Sequence, residues 1–124
     1  MIDGLFSNTN YVASKRLLDM TQLRHEAIAS NIANVETPGY KRVDLPKDFS
    51  KEFAARLRSG TLDRLRTPSL VEDTKTTSQR HDGNNVEIDK ELLEMSANTT
   101  QYDTLTEFVS NSLRQLKVAI TGRS

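Results

Sequence analysis

Residues 89–122, DKELLEMSANTTQYDTLTEFVSNSLRQLKVAITG, decide the fold class. Within them Leu92, Met95, Thr99, Tyr102, Thr106, Val109, Leu113, Leu116 and Ile120 recur at alternating spacings of three and four, the heptad seam of a helix that packs on another helix. Asp89 stands where an N-cap is needed, Glu91 and Glu94 suit the positive end of the helix dipole, Lys117 the negative end, and Gly122 is a natural stop. The spacing predicts a helix over 90–121. Leu105, Phe108 and Ala119 fall on an adjoining face, so this helix carries more apolar surface than one partner helix covers.

An earlier helical pattern spans 10–33, with Val12, Ala13, Leu17, Met20, Leu23, Ala27 and Ile28 on its main stripe and Leu18, Ala29, Ile32 and Ala33 on a second face. The expected fold is mainly α. Long N- and C-terminal helices pack as a coiled-coil-like pair, Leu17, Met20, Leu23 and Ala27 meeting Leu92, Met95, Tyr102, Val109, Leu113, Leu116 and Ile120. Arg16 and Arg24 interrupt the first stripe and are expected to face the other helix, where with Thr99 and Thr106 they set register at some cost in stability. At about 1.5 Å per residue the two helices would be roughly 36 and 48 Å long.

The segment between them is irregular. Pro38 disfavours helix at Thr37, and Pro38-Gly39 suits the centre of a type II turn. Phe49, Phe53 and Leu57 permit a short amphipathic helix over 47–58, stopped by Gly60. Residues 61–87, rich in Thr, Ser, Asp and Asn, read as loop or as short strands that need a partner. The chain divides into an N-terminal helical segment (1–36), a turn, loop and short helix or strands (37–88) that order on assembly, and a C-terminal coiled-coil helix (89–124).

Composition narrows the function. In 124 residues 35% are apolar and 27% charged, and the mean hydropathy is −0.58. That is thin for a self-sufficient core, where roughly 45–50% apolar is usual. Seventeen basic and seventeen acidic residues cancel, so the footprint of a nucleic-acid binder or a membrane-surface protein is missing. Residues 41–66 nevertheless carry eight basic groups against four acidic, net +4, and residues 82–107 one basic against seven acidic, net −6. Copies of such a chain are complementary to one another.

Without cysteine there is no disulfide framework and no thiolate site. Met1–Phe6 lacks the pattern of a secretory signal, and no stretch reaches the ~18 apolar residues of a membrane span. Taken alone, these features describe a soluble cytoplasmic chain. His25 and His81 have no histidine neighbour at helical spacing, and Asp82, Asn84, Glu87 and Asp89 miss the alternation of a calcium loop. No nucleophile elbow or phosphate-binding glycine loop occurs, so no catalytic, cofactor or metal residue is assigned. Asn98-Thr99-Thr100 fits a glycosylation sequon but falls mid-helix.

One run is of a different kind: Asn31-Ile32-Ala33-Asn34-Val35-Glu36-Thr37-Pro38-Gly39-Tyr40-Lys41-Arg42. Its two asparagines share a helix face, where an amide can bond the open carbonyls of the last turn or a neighbouring backbone. Pro38-Gly39 then reverses the chain, and Tyr40 is expected to pack its ring back with the hydroxyl exposed.

The run Asn31, Ile32, Ala33, Asn34 joined to Thr37, Pro38, Gly39 and Tyr40 resembles the N-terminal signature of the bacterial flagellar basal-body rod protein family. Asp82–Glu91, leading into the C-terminal seam, resembles its proximal branch. The likeness covers residues 1–42 and 82–122 and leaves 43–81 without a signature. It implies a subunit whose terminal helices build the wall of a hollow rod, contacting copies of itself, other rod proteins, and the membrane-ring and export-gate components at the rod base. Neither nucleic acid nor direct lipid binding belongs to that role. The likeness also implies export by the flagellar type III apparatus without a cleaved signal, which replaces the cytoplasmic reading with a place in the basal body on the periplasmic side. A cytoplasmic coiled-coil adaptor or secretion chaperone is the alternative that the heptads alone leave open.

Overall fold

In the computed structural model, residues 9–73 and 79–122 are described; Met1–Phe6 lies outside them. Helix α1 spans Thr9–Ala33 and α3 spans Ile88–Thr121. Between them lie strand β1 (Val43–Asp44), helix α2 (Phe49–Ser59), a 3-10 turn (Leu62–Arg64) and strand β2 (Val71–Glu72). The long helices pack antiparallel, with Asn31 beside Glu91 and Thr21 beside Asn98. The expectation of a helical pair with a short-stranded middle holds. Among the described residues no helix is long and apolar enough to cross a membrane.

Local sequence explains where each element ends. Tyr40 N–H donates to the Thr37 carbonyl at 3.2 Å with Gly39 at φ 76°, the type II turn read from Pro38-Gly39. Helix α2 begins two residues later than expected and closes at Gly60, φ 70°, where Thr61 N–H reaches back to the Arg56 carbonyl at 2.9 Å. Helix α3 starts at Ile88, with Glu87 rather than Asp89 as N-cap and no side-chain cap bond. Asp89 and Glu91 sit in its first turn, where their charge still meets the helix dipole.

The middle segment folds back onto α1. Met20, Phe49, Leu62 and Leu65 are buried together, with Val12, Ala13 and Phe53 packed against them, each such burial contributing about 1.5–3 kcal/mol. Met20 therefore serves this small core and is not reserved for α3. Arg16 likewise turns to the 3-10 turn, donating to the Asp63 carbonyl at 3.1 Å. Arg24 does cross to α3, pairing with Glu94 at 2.8 Å. The β1–β2 ladder, Val43 opposite Glu72 and Asp44 opposite Val71, clips the two ends of the middle segment together.

The covered line on α3 differs from the apolar seam. Glu91 and Asn98 are buried, and Met95, Leu105, Val109, Ser112 and Leu116 are partly buried. Leu92, Leu113 and Ile120 stay 53%, 45% and 58% exposed, and Tyr102 is exposed as well. The covered face shares Met95, Val109 and Leu116 with the expected one but takes Glu91 for Leu92 and Asn98 for Thr99, a rotation of about 50° at 100° per residue. The cause is polar: Glu91 and Asn98 are held inward by hydrogen bonds to Asn31 and to the Thr21 carbonyl.

Candidate functional site

The Asn31–Arg42 run and the Asp82–Glu91 run, far apart in sequence, close on each other where α1 ends and α3 begins. Asn31, fully buried, fills all its hydrogen-bonding capacity. Its Oδ1 accepts the Val43 N–H at 2.8 Å and the Tyr40 hydroxyl at 3.1 Å; its Nδ2 donates to the Val43 carbonyl at 2.9 Å and to Glu91 Oε2 at 3.2 Å. By meeting both backbone groups of Val43, this amide does for one edge of β1 what a neighbouring strand would do. Asn34 Nδ2 donates to the Ser30 carbonyl at 2.9 Å, closing the last turn of α1.

Tyr40 corrects the sequence expectation. Its hydroxyl is engaged, donating to Asn31 and lying 3.0 Å from Ser30 Oγ. The reversal at Pro38-Gly39 aims the ring back along α1, so the oxygen falls level with the helix's final polar residues.

From the other run, Asn84 is fully buried. Its Nδ2 donates to the carbonyls of Asn34, Val35 and Thr37 at 2.9, 3.1 and 2.9 Å, and its Oδ1 accepts the Val86 N–H at 2.8 Å. Gly39 N–H donates to the Asp82 carbonyl at 2.8 Å. Lys41 and Arg80 add bonds from their side chains to the carbonyls of Gly83 and Val35. One asparagine thus ties down the chain leaving α1, including carbonyls that a helix C-terminus leaves open.

Arg42 is the electrostatic centre. Its Nε donates to Glu91 Oε1 at 2.8 Å, a second guanidinium nitrogen to Asp73, and the third lies 3.6 Å from Asp44 Oδ2. Its backbone N–H donates to Asn85 Oδ1 at 2.7 Å, and Asn85 Nδ2 donates to the Asp73 carbonyl at 3.1 Å. Burial works to lower the Arg42 pKa, but the hydrogen bond and charge of Glu91, then Asp73 and Asp44, outweigh it and hold the guanidinium more firmly charged than usual. Glu91, 2% exposed, is thereby paired and hydrogen-bonded, as a buried carboxylate must be.

The cluster can therefore fix the angle and register of α1 against α3. Sequence reasoning singled out Asn31, Asn34 and Tyr40 but gave no role to Asn84, Asn85 or Arg42 and assigned Glu91 only to the helix dipole. The signal that could have found them was the Asp82–Glu91 signature itself, two adjacent amides before a helix whose first turn holds a carboxylate. Ile32 is partly buried, and Ala33, Thr37, Pro38 and Gly39 are exposed, forming the backbone frame of the turn.

Of the residues expected at the helix interface, Met20 and Ala27 are buried, and Leu17, Leu23, Met95, Val109 and Leu116 are partly covered. Leu92, Tyr102, Leu113 and Ile120 stay exposed. Beyond Asn98 no described residue of α3 is buried. Both histidines are exposed, and among the described residues no group of His, Cys, Asp or Glu is arranged to hold a metal ion.

Comparison with known proteins gives the cluster its context. A family model described as flagella basal body rod protein matches residues 18–41, which hold the end of α1 and the whole turn from Asn34 to Tyr40. The flagellar basal body rod protein FlgB of Bacillus subtilis is 30% identical over 96% of this chain and 98% of its own length. FlgB of Aquifex aeolicus is 32% identical over 89% of this chain and 91% of its own, and FlgB of Cereibacter sphaeroides 33% identical over 85% and 88%. With likeness running through both signatures and nearly the full length of these relatives, the chain belongs to the FlgB family of flagellar basal body rod proteins.

Proposed function

We propose that this chain is a structural subunit of the proximal rod of the bacterial flagellar basal body. It polymerises by packing its helices on copies of itself and on other rod proteins, joins the membrane ring and export gate to the rest of the rod, and passes torque along it. It catalyses nothing. It reaches the periplasmic side of the basal body through the flagellar type III apparatus.

The observation that carries this is the uncovered apolar surface of α3. Leu92, Leu93, Phe108, Leu113, Val118 and Ile120 are exposed on a helix whose Glu91 and Asn98 already face α1. Surface of this kind marks a site of association, and each of these residues, most of them about half covered already, gains on the order of 1 kcal/mol when a neighbouring subunit covers the rest. The Arg42–Glu91 cluster supports it from the other end, because a rigid angle between α1 and α3 lets load pass between them. The small core and the lack of cysteine suit a chain that crosses a narrow channel unfolded.

Two measurements test it. The chain is expected to co-purify with detergent-extracted basal bodies; a chain confined to the cytosol would be an adaptor or chaperone instead. Leu116→Pro breaks a late turn of α3 and is expected to block rod assembly while secretion of the subunit continues, so normal motility in that variant refutes assembly through this helix.

A further inference from the structure

A cleft of about 250 Å³ opens between the long helices, lined by Gln22 and His25 from α1 and by Asn98, Thr99 and Tyr102 from α3. Asn98 is 3% exposed, and its Nδ2 donates to the Thr21 carbonyl at 2.8 Å. That bond orients the amide, since the carbonyl accepts only from the NH2 side. The other end of the amide, Oδ1, is buried and has no hydrogen-bond partner. A buried acceptor lining a cleft of side-chain size calls for a donor from outside.

The rim says which donor. Asp19 and Glu26 lie three residues before and four after Gln22, and Asp103 lies four after Thr99, on the helix faces that carry those lining residues. All three carboxylates are exposed and make no ion pair among the described residues. An acceptor inside an acidic rim, beside the half-open ring of Tyr102, favours a guanidinium, which donates in several directions and stacks on aromatic faces.

The same chain carries such groups elsewhere. Arg58 in α2, Arg64 in the 3-10 turn and Arg66 after it are exposed and make no ion pair among the described residues. Within one subunit this basic edge and the acidic rim form no ion pair among the described residues, so their complementarity can be realised between copies. Joining two different surfaces of identical chains is a heterologous contact, which propagates as a helical array.

We propose that the Gln22–Tyr102 cleft receives an arginine from the Arg58–Arg66 edge of a second copy of this chain, its guanidinium donating to Asn98 Oδ1 within the rim of Asp19, Glu26 and Asp103. This rests on the reading of the chain as a polymerising rod subunit and specifies one of its contacts. Charge complementarity selects the occupant, and the unfilled acceptor selects the spot.

The test is a charge swap in cells making the full chain. Asp19→Lys, Glu26→Lys and Asp103→Lys together are expected to remove the chain from purified basal bodies and abolish swimming, as are Arg58→Glu, Arg64→Glu and Arg66→Glu together. All six combined are expected to restore both. Thr99→Trp, which fills the cleft without changing charge, is expected to cause the same loss. Wild-type incorporation of the rim variant or of Thr99→Trp overturns the cleft as a contact, while loss without rescue in the sixfold variant overturns a second copy as its occupant. In either case wild-type chain still found in basal bodies leaves the rod reading standing; its absence there overturns both. All seven positions are exposed, and far-ultraviolet circular dichroism of each purified variant checks that the fold survives.

Discussion

Replacing Asn84 by alanine should cost more than any change to the cluster's outer charges, and the structure says by how much. The amide's two N–H groups are shared among the carbonyls of Asn34, Val35 and Thr37, each of which keeps a second donor, from Thr37 N–H, Arg80 and Tyr40 N–H respectively. No carbonyl is left bare, so that side of the loss is two net hydrogen bonds at about 0.5–1.5 kcal/mol each. The other side is the Val86 N–H, in a residue 4% exposed, whose acceptor disappears, at about 1–3 kcal/mol for a buried orphan. Together Asn84→Ala loses about 4 kcal/mol, a large share of the 5–15 kcal/mol or so by which domains are stable. Asn84→Asp separates donor from acceptor: its carboxylate still accepts from Val86 but points an oxygen at three carbonyls. Those surroundings raise the introduced carboxyl's pKa in the folded chain above its unfolded value of about 3.9. The Asp variant's deficit against the wild type is therefore full above the folded pKa and shrinks as pH falls through it, when the protonated acid can donate again. Urea unfolding of the purified chain, followed by circular dichroism at neutral and mildly acidic pH, reads both effects. An alanine variant within about 0.5 kcal/mol of wild type, far under the expected loss, would refute the accounting, as would an aspartate deficit that ignores pH.

Three further outcomes follow from the same contacts. Arg42→Met should cost about 3–5 kcal/mol because it strands the buried Glu91 carboxylate, while Arg42→Met with Glu91→Leu should cost clearly less than the two single changes added, in urea unfolding; strict additivity would contradict the pairing. Tyr40→Phe should lose only about 1 kcal/mol, since Asn31 Oδ1 keeps the Val43 N–H, and a melt unchanged from wild type would mean that the hydroxyl bond contributes nothing. In amide exchange of the isolated chain, Gly39, Val43 and Val86 should be slow and the α3 amides after Val109 fast, because the cluster holds the former and nothing buried holds the latter; uniform protection along α3 would show that the helix needs no neighbours.

Much of the fold could be read from local chemistry. The bounds of α1, the stop at Pro38-Gly39, the short helix closed by Gly60 and the long C-terminal helix each follow from propensity, periodicity or a turn that only certain residues make. The Asn31–Tyr40 signature was legible as a unit, and so was the family resemblance. What misled was the seam. Leu92, Leu113 and Ile120 are the apolar choice at their positions, and a rule that counts apolar spacing prefers them to Glu91 and Asn98 every time. The rule assumes that the covered face of a helix is the greasy one. Here the covered face is fixed by polar groups whose partners lie at Asn31, Arg42 and the Thr21 carbonyl, some fifty to eighty residues away in sequence.

The same division runs through the whole molecule. Backbone preferences act over a few residues, so the order of helices, turns and breaks was written in the chain and needed no partner to be recognised. Which way α3 is rolled, which leucines face outward, and whether Tyr40's hydroxyl is wet or bonded depend on hydrogen bonds that exist only once distant segments meet. A buried amide or carboxylate is costly without its partner and stable with it. Only the assembled tertiary structure shows that Glu91 and Asn98 belong inside, and that the apolar row beside them stays exposed.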